Sequence, residues 1–499
     1  MLNDILRNAG SDTLKYVPVR LVPAFTSLIT VPVFTHMIGK AEYGDFYLIS
    51  SATSLTATLA TAWITSSAVR FFWVYEKQDR VDDYMATTTW ATLTSITLVS
   101  AIIGLAVFLL RDFIPSGVLR LVPLGLASLA FNYFVTVLLQ VFRAANKANE
   151  YLVLSVLSTL ASTAFSVYFV WSLEWGALGI LGGVVVGNLL VIPWGLKVAR
   201  RQGRLSPRFF KKDVLGEYMR FGFPLIPASI SSWILVLADR YVIAALRDSG
   251  EVGLYSVTYG LGEKLMQLVT LPLIIAIAPV LIHTFEKQGQ ALAQKVQTQL
   301  TRYFAIATFP LLFGMAAVSK NFVQVFTDAE YHVGYPILPI VGTGVLCYGF
   351  VQIAANGVTL HKRSSIIMTN TLTAAAFNVI ANIIFVSRYG YMAAAYTTVV
   401  SYALLLGLTW WRSRPYMAWQ IPWFELGRVT LASGTMALVL VGLFWRLPSS
   451  LGLLLLEVVV GLSIYIVMLL LLHGIREDEK EFAKEIAGKV AVKLHLKKA

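Results

Sequence analysis

The residues with the clearest potential for chemistry are two adjacent charges, Glu263 and Lys264, inside an apolar segment. They lie about ten residues from one end of that segment, which at about 1.5 Å per residue places them near the middle of a membrane. A charge at the bilayer centre costs about 2.5 to 3.5 kcal/mol on insertion scales. Neighbouring residues on a helix point in different directions, so the two side chains cannot simply neutralise one another. At least one of them is expected to face a cavity or a neighbouring helix.

A polar and aromatic stripe leads to this pair. Tyr255, Tyr259, Glu263 and Gln267 recur at i+4 spacing and therefore share one face of a helix. Such a face suits a polar path through the membrane, which makes Tyr255, Tyr259 and Lys264 candidates for substrate binding and Glu263 a candidate for ion coupling. The alternative is an interhelical ion pair that holds the bundle together.

Three further charges lie in apolar segments. Arg240 shares a helical face with Ser229 and Ser232, and its planar guanidinium could bind an anionic group in the same cavity. Asp239 beside it is a second candidate for ion coupling. Arg20 is a similar candidate for substrate binding near the opposite side of the membrane. For both arginines the alternative is a side chain that extends to the membrane surface, and a further alternative for Arg240 is pairing with its neighbours near Glu251.

Polar stripes on two other segments indicate helix faces that do not meet lipid. In the fourth segment the stripe includes Asn132 and Gln140, and in the eleventh it includes Asn378 and Asn382. Each of these four is a candidate for substrate contact. Hydrogen bonding between packed helices explains them equally well.

Several other kinds of chemistry find no support in the sequence. The single cysteine, Cys347, has no partner for a disulfide, and the six histidines are scattered singly. The motifs HExxH, GxSxG and the phosphate-binding P-loop are absent from the chain. We therefore expect no catalytic residue, no metal and no cofactor, and no direct coupling to ATP.

The elements that must position these residues are membrane helices. Hydrophobic residues make up 57% and charged residues 13% of the 499 positions, with a mean hydropathy of +0.70, whereas soluble domains carry about 25% charged residues. The composition predicts an all-α polytopic membrane protein with about 14 spans, each near the length of about 20 residues that a bilayer requires. The predicted spans are 16–38, 45–68, 84–110, 115–140, 150–172, 176–197, 219–246, 252–281, 299–318, 333–360, 365–386, 391–411, 423–446 and 450–473.

The distribution of Lys and Arg predicts the orientation of these spans. With both termini in the cytoplasm, most basic residues fall in cytoplasmic loops, as the positive-inside rule requires. The densest basic stretch runs from Lys197 to Lys212. It is expected to lie against anionic lipid head groups, so the net charge of +13 does not require a nucleic-acid partner.

A short phrase that occurs twice indicates a duplication. Superposing Glu42 on Glu251 also superposes Gly44 on Gly253, and further on Gly176 corresponds to Gly390. Because each repeat contains six spans, an even number, the two halves are parallel. The predicted organisation is a first half (1–200), a basic cytoplasmic linker (201–213), a second half (214–411), two extra spans (412–473) and an amphipathic cytoplasmic tail (474–499).

Six stretches carry a resemblance to a known family. The stretches 221–227 (FGFPLIP), 238–243 (ADRYVI) and 253–256 (GLYS) resemble the start of the second half of Wzx-type polysaccharide flippases. These flippases belong to the multidrug/oligosaccharidyl-lipid/polysaccharide exporter superfamily. The stretches 5–8, 40–47 and 142–148 are similar to the first-half pattern of the same family.

This resemblance implies a specific transport function. A flippase of this kind moves a polyisoprenyl-pyrophosphate-linked oligosaccharide across the bacterial cytoplasmic membrane by alternating access, for lipopolysaccharide, O-antigen or exopolysaccharide synthesis. The implied partners are the lipid-linked oligosaccharide and membrane lipids, with polymerase or assembly proteins as a further hypothesis. The chain would not be an enzyme.

Three other functions remain in play: a cation-coupled exporter of small drugs or metabolites, a lipid II flippase, and a membrane-embedded glycosyltransferase or polymerase. The last fits worst, because the hydrophilic connections are short and mostly basic. The two extra spans and the cationic residues within the spans favour an anionic lipid-linked substrate over a small drug.

Overall fold

The fold is a bundle of membrane helices. The computed structural model describes residue 22 and residues 25 to 474, and within this part there is no strand. Twelve helices of the described part are long and apolar enough to cross a membrane. The prediction of an all-α polytopic protein is therefore confirmed. Arg20 and residues 475–499 of the predicted tail lie outside the described residues.

Seventeen α-helices make up the described part. They are α1 (Phe25–Met37), α2 (Lys40–Lys77), α3 (Val81–Leu109), α4 (Ser116–Ala144), α5 (Ala148–Trp171), α6 (Gly176–Ala199), α7 (Lys212–Gly222), α8 (Ile226–Leu237), α9 (Asp239–Leu246), α10 (Ser249–Gln288), α11 (Gln290–Phe326), α12 (Ile337–Ala354), α13 (Asn356–Leu360), α14 (Ser364–Tyr389), α15 (Tyr391–Ser413), α16 (Trp423–Phe444) and α17 (Leu451–Leu471).

The predicted count of fourteen spans is not confirmed. The first predicted span begins outside the described residues, and its described part is the short helix α1. The second predicted span lies within α2, which is 38 residues long but is not among the twelve candidates. The many serines and threonines of α2 lower its hydropathy.

The helix junctions alternate between two ends of the bundle. We call one of them the Gly44 end. It contains the N-terminal ends of α2, α4, α6, α10 and α15. Contacts such as the hydrogen bond between Glu42 and Ala177 join these helix ends. We call the other the linker end; it carries residues 200–211, the Arg80 turn and Gly289.

The seventh predicted span (219–246) is interrupted. A 3₁₀ turn over Phe223–Leu225 separates α7 from α8, and Ala238 separates α8 from α9. Pro224 and Pro227 explain the first break, because proline lacks an N–H donor and its ring clashes with the preceding turn. Discontinuous helices of this kind often lie beside the binding sites of membrane transporters.

Helix α7 packs against the first predicted half. Tyr218 is buried beside Phe71, and the Ser67 hydroxyl donates a hydrogen bond to the Tyr218 carbonyl at 3.2 Å. Asp213 pairs with Arg80 at 2.7 Å. Hydrogen bonds to the Asp213 and Asp83 carboxylates raise the pKa of Arg80 above its ordinary value, so the guanidinium remains charged. The linker and α7 are thus attached to α2 and α3 up to the proline break.

A glycine stripe allows α5 and α6 to pack closely. Gly179, Gly183 and Gly187 recur at i+4 spacing on α6. A Cβ added to Gly183 would lie 2.2 Å from the backbone nitrogen of Ser166, and one added to Gly187 would lie 2.3 Å from that of Ser162. Only glycine fits at these two positions, as in other close helix pairs in membranes.

Replacing Gly183 with leucine should therefore destabilise the protein by about 3 kcal/mol or more, the upper part of the range for overpacked cores. The measurement is the yield of monodisperse protein after detergent extraction and its thermal unfolding midpoint. Gly442→Leu on α16 is the matched control, because a Cβ at Gly442 meets no atom of the described residues within 4 Å. Equal yields and midpoints for the two variants would contradict the close packing of α5 and α6.

Candidate functional site

The duplicated phrase forms the same contact twice. Glu42 accepts a hydrogen bond from the Ala177 amide at 2.8 Å, and Glu251 accepts one from the Tyr391 amide at 3.0 Å. Each carboxylate therefore lies at the positive N-terminus of a helix, α6 or α15. The preceding glycines, Gly176 (φ +54°) and Gly390 (φ +62°), adopt the left-handed conformation that glycine allows.

The two copies of the phrase also meet one another. A Cβ on Gly44 would lie 1.8 Å from the Ser249 carbonyl oxygen, and a Cβ on Gly253 would lie 1.9 Å from that of Lys40. The Ser249 hydroxyl donates to the Asp45 carboxylate at 2.6 Å. Helices α2 and α10 are therefore in backbone contact, and they close the bundle at the Gly44 end.

A buried charged cluster lies beside this contact. Asp239 and Arg240 are only 1% and 4% exposed, and their side chains form an ion pair at 3.0 Å. The Tyr255 hydroxyl donates a hydrogen bond to the second carboxylate oxygen of Asp239. The guanidinium lies over the rings of Tyr255 and Tyr259, at 5.7 and 5.0 Å from their centroids, a favourable cation–π arrangement.

The break at Ala238 shapes this cluster. The Arg240 amide donates to Asp239 Oδ1 at 2.9 Å, and Arg240 Nη1 donates to the Val236 carbonyl at 3.1 Å. The arginine side chain thus satisfies a carbonyl at the end of α8, where the ladder between α8 and α9 is interrupted. Arg240 Nε is buried and has no hydrogen-bond partner in the described part of the chain.

The polar stripe of α14 continues the cluster. Asn382 donates to Asn378 at 3.1 Å, and Asn378 donates to Thr398 on α15 at 3.4 Å. Thr398 in turn lies beside Tyr255. Asn378 and Asn382 are fully buried, so in this conformation they serve the packing of α14 on α15.

Glu263 and Lys264 lie about one turn of α10 beyond Tyr259 of the cluster. Their closest N–O distance is 3.9 Å, a loose ion pair, and their side chains are 23% and 33% exposed. Gln267 bridges them, because it donates to Glu263 at 3.0 Å and accepts from Lys264 at 3.3 Å. Both side chains are thus partly exposed, whereas Tyr255 and Tyr259 are buried.

The structure does not bring every predicted residue together. Asn132 is exposed and Gln140 half-buried on α4, and neither forms a hydrogen bond with the cluster among residues 25–474. The cluster unites Asp239, Arg240, Tyr255, Tyr259, Asn378 and Asn382, with Glu263 and Lys264 adjacent. Its chemistry is that of guanidinium, ammonium, carboxylate and aromatic groups. Within the described residues no group of three His, Cys, Asp or Glu side chains is placed to hold a metal.

One buried acid was not among the predicted site residues. Glu457 on α17 is 4% exposed and accepts a hydrogen bond from Asn321 at 2.8 Å. An ionisable residue within a membrane span is by default a candidate functional residue, and Glu457 can be recognised in the sequence on this ground. Its contact joins the two extra helices to α11.

Long helices with interior charges, a broken span and a repeated helix-capping contact are typical of membrane transporters. The family described as polysaccharide biosynthesis protein matches residues 9–285, more than half of the chain. The protein belongs to this family.

Two relatives carry names that indicate a function. The lipopolysaccharide biosynthesis protein WzxC of Escherichia coli K12 is 25% identical over 332 residues, which cover 63% of this chain and 62% of the relative. Agl15 of Haloferax volcanii, named a probable low-salt glycan biosynthesis flippase, is 20% identical over 302 residues, 60% of this chain and 63% of the relative. The chain thus spans less than two thirds of either relative.

Solved structures show the same fold. The lipid II flippase MurJ in an inward closed conformation superposes with a TM-score of 0.73 at 13% identity, covering 92% of this chain and 97% of that one. This likeness concerns the arrangement of the helices.

Proposed function

We propose that the protein is a flippase that moves a polyprenyl-pyrophosphate-linked oligosaccharide across the cytoplasmic membrane for the synthesis of a cell-surface polysaccharide. The observation that carries this proposal is the family match over residues 9–285, with relatives named for glycan flipping and lipopolysaccharide synthesis. The protein would act as a transporter and not as an enzyme. Polymerase or assembly proteins are partners within the same proposal.

The orientation is part of the proposal. The linker end carries exposed Arg200, Arg201, Arg208 and Lys211, which supports placing it in the cytoplasm under the positive-inside rule. The Gly44 end then faces outward, and both termini are cytoplasmic. The outer side of the bacterial inner membrane, which the Gly44 end faces in this orientation, is the side on which the glycan is released.

The mechanism is alternating access between two halves, residues 1–200 and 214–411. The contact of Gly44 with Gly253 would close the outer side, and the side chains of Glu263 and Lys264 are partly exposed. Lys264 is the available cation for the pyrophosphate, with Arg20 as a candidate nearer the cytoplasm. Because Asp239 holds Arg240 in an ion pair, a proton or cation taken up by Asp239 would release that guanidinium for the same anion.

The pairing of charges distinguishes this proposal from export of a cationic drug. A drug exporter would be expected to offer carboxylates without matching cations, yet Asp239 is paired with Arg240, and Glu263 is close to Lys264. The interior of the helix bundle therefore contains cationic side chains that can bind an anionic substrate.

Lys264→Ala should lower export of the surface glycan by about 10- to 100-fold, the value of a charge-assisted hydrogen bond of about 1.5 to 3 kcal/mol. Glu263→Gln should have a smaller effect, because Gln267 can still bond to the amide. Export is measured as labelled surface glycan at matched protein levels. The control is Lys287→Ala, an exposed lysine near the linker end of the same helix. Normal export by Lys264→Ala would remove Lys264 from the substrate path.

The proposed function itself is tested by deletion of the gene. The expected result is loss of the surface glycan and accumulation of sugar-loaded carrier lipid in the cytoplasmic leaflet. Restoration by the wild-type chain is the control. An unchanged glycan profile together with increased sensitivity to cationic drugs would favour the small-molecule exporter.

A further inference from the structure

A polar pocket of about 350 Å³ opens at the Gly44 end of the first half. Glu42, Arg120 and Glu174 line it with their charged groups, and Met37 and Trp175 add apolar surface. The Trp175 ring packs on that of Phe169 with centroids 5.0 Å apart. The pocket is separate from the charged cluster around Arg240, which lies in the second half.

The charges of this pocket are held apart. Glu42 is fixed by its hydrogen bond to the Ala177 amide. Glu174 has a left-handed backbone (φ +53°), which is unfavourable for a non-glycine residue and fixes the course of the loop before α6. Arg120 projects from α4 and, in the part of the chain that the structure describes, forms no ion pair with either acid. Two carboxylates and a guanidinium thus line one cavity without forming ion pairs with each other.

The set of charges in this pocket is not repeated at the equivalent place in the second half. In the second half Glu251 forms the same helix-capping contact as Glu42. However, Arg388 occupies the place that corresponds to Glu174, and its backbone is not left-handed. The cap is therefore common to both halves, whereas the pocket with two acids is a property of the first half.

We propose that this pocket binds a saccharide. A sugar hydroxyl can donate to a carboxylate and accept from a guanidinium at once, so one ring can satisfy groups that do not reach one another. The apolar face of a pyranose can contact Trp175 and Met37. The role of the site rests on the proposed function: it would hold the glycan on the outer side after release from the central path.

Binding is tested with the full chain in lipid nanodiscs and a panel of methyl glycosides with neutral, acidic and amino sugars, by saturation-transfer NMR. The double variant Arg120→Gln, Glu174→Gln should lose about tenfold in affinity for the glycosides that bind, the result of about 1.4 kcal/mol of lost hydrogen bonding. Arg111→Gln is the matched control, because Arg111 is an exposed arginine at the same end and pairs with Asp112 outside the pocket.

Two results would overturn the inference: no saturation transfer from the wild-type protein to any glycoside, or equal transfer from the wild-type protein and from the double variant. Because the substituted side chains are exposed, an unchanged unfolding midpoint shows that the double variant is folded. This assay does not depend on flipping. Saccharide binding combined with an unchanged surface glycan in the deletion strain would reject the proposed function and retain the pocket.

Discussion

Replacing Arg240 with methionine should destabilise the protein by about 3 to 5 kcal/mol, because it leaves the buried Asp239 carboxylate without its cation. The ion pair is almost fully removed from solvent, and Tyr255 is the other side chain that bonds to the acid. The double variant Asp239→Leu, Arg240→Met should recover most of this loss, since a neutral pair of similar volume removes the unpaired charge. The unfolding midpoint in detergent is the measurement.

The double variant separates structure from function. If the pair takes part in transport, the double variant folds but does not export the glycan. Arg220→Met is the matched control, because Arg220 is exposed on α7 of the same broken span. A double variant with normal export would show that Asp239 and Arg240 only hold the bundle together.

Gly253→Leu should abolish transport in a protein that still folds. The leucine side chain cannot fit against the Lys40 carbonyl, so α2 and α10 cannot close the Gly44 end. Transport by alternating access needs a conformation in which the Gly44 end is closed, and the variant cannot adopt that conformation. The first measurement is export of the glycan at matched protein levels.

A second measurement reports on the closure itself. In a Cys347→Ala background, Ser256→Cys lies on α10 at a fully buried position. It should react with a membrane-impermeant maleimide from outside much faster when Gly253→Leu is also present, because the Gly44 end then no longer closes. Gly260→Leu on the same helix is the control, since its Cβ would meet only the Tyr47 hydroxyl, at 3.8 Å. An unreactive cysteine and normal export in Gly253→Leu would contradict the closure.

Local spacing in the sequence was sufficient for part of the site. The alignment of Glu42 with Glu251 and of Gly176 with Gly390 corresponds to two equivalent caps. Both contacts are formed by short sequence segments, and the backbone conformation of each segment determines the geometry of its contact. The stripe of Asn378 and Asn382 likewise indicated an interior face, although only the structure identifies Thr398 as a partner.

Other features depend on packing that spacing does not reveal. Adjacent side chains on a continuous helix diverge, so spacing alone does not predict the ion pair of Asp239 with Arg240. The break at Ala238 alters that geometry and lets the arginine turn back toward Val236. Tyr255 and Tyr259 were expected to line a path, and that assignment stays a prediction, because the helices around them bury both rings in this conformation.

The central claim is best tested by translocation in a defined membrane. The purified chain is reconstituted into vesicles with a fluorescent polyprenyl-pyrophosphate oligosaccharide, and transfer is followed by its exposure to a glycosidase added outside. We expect the protein to increase the exposed fraction, and Lys264→Ala to reduce the rate by about 10- to 100-fold. Vesicles that transport a cationic dye but leave the lipid-linked oligosaccharide protected would contradict the account.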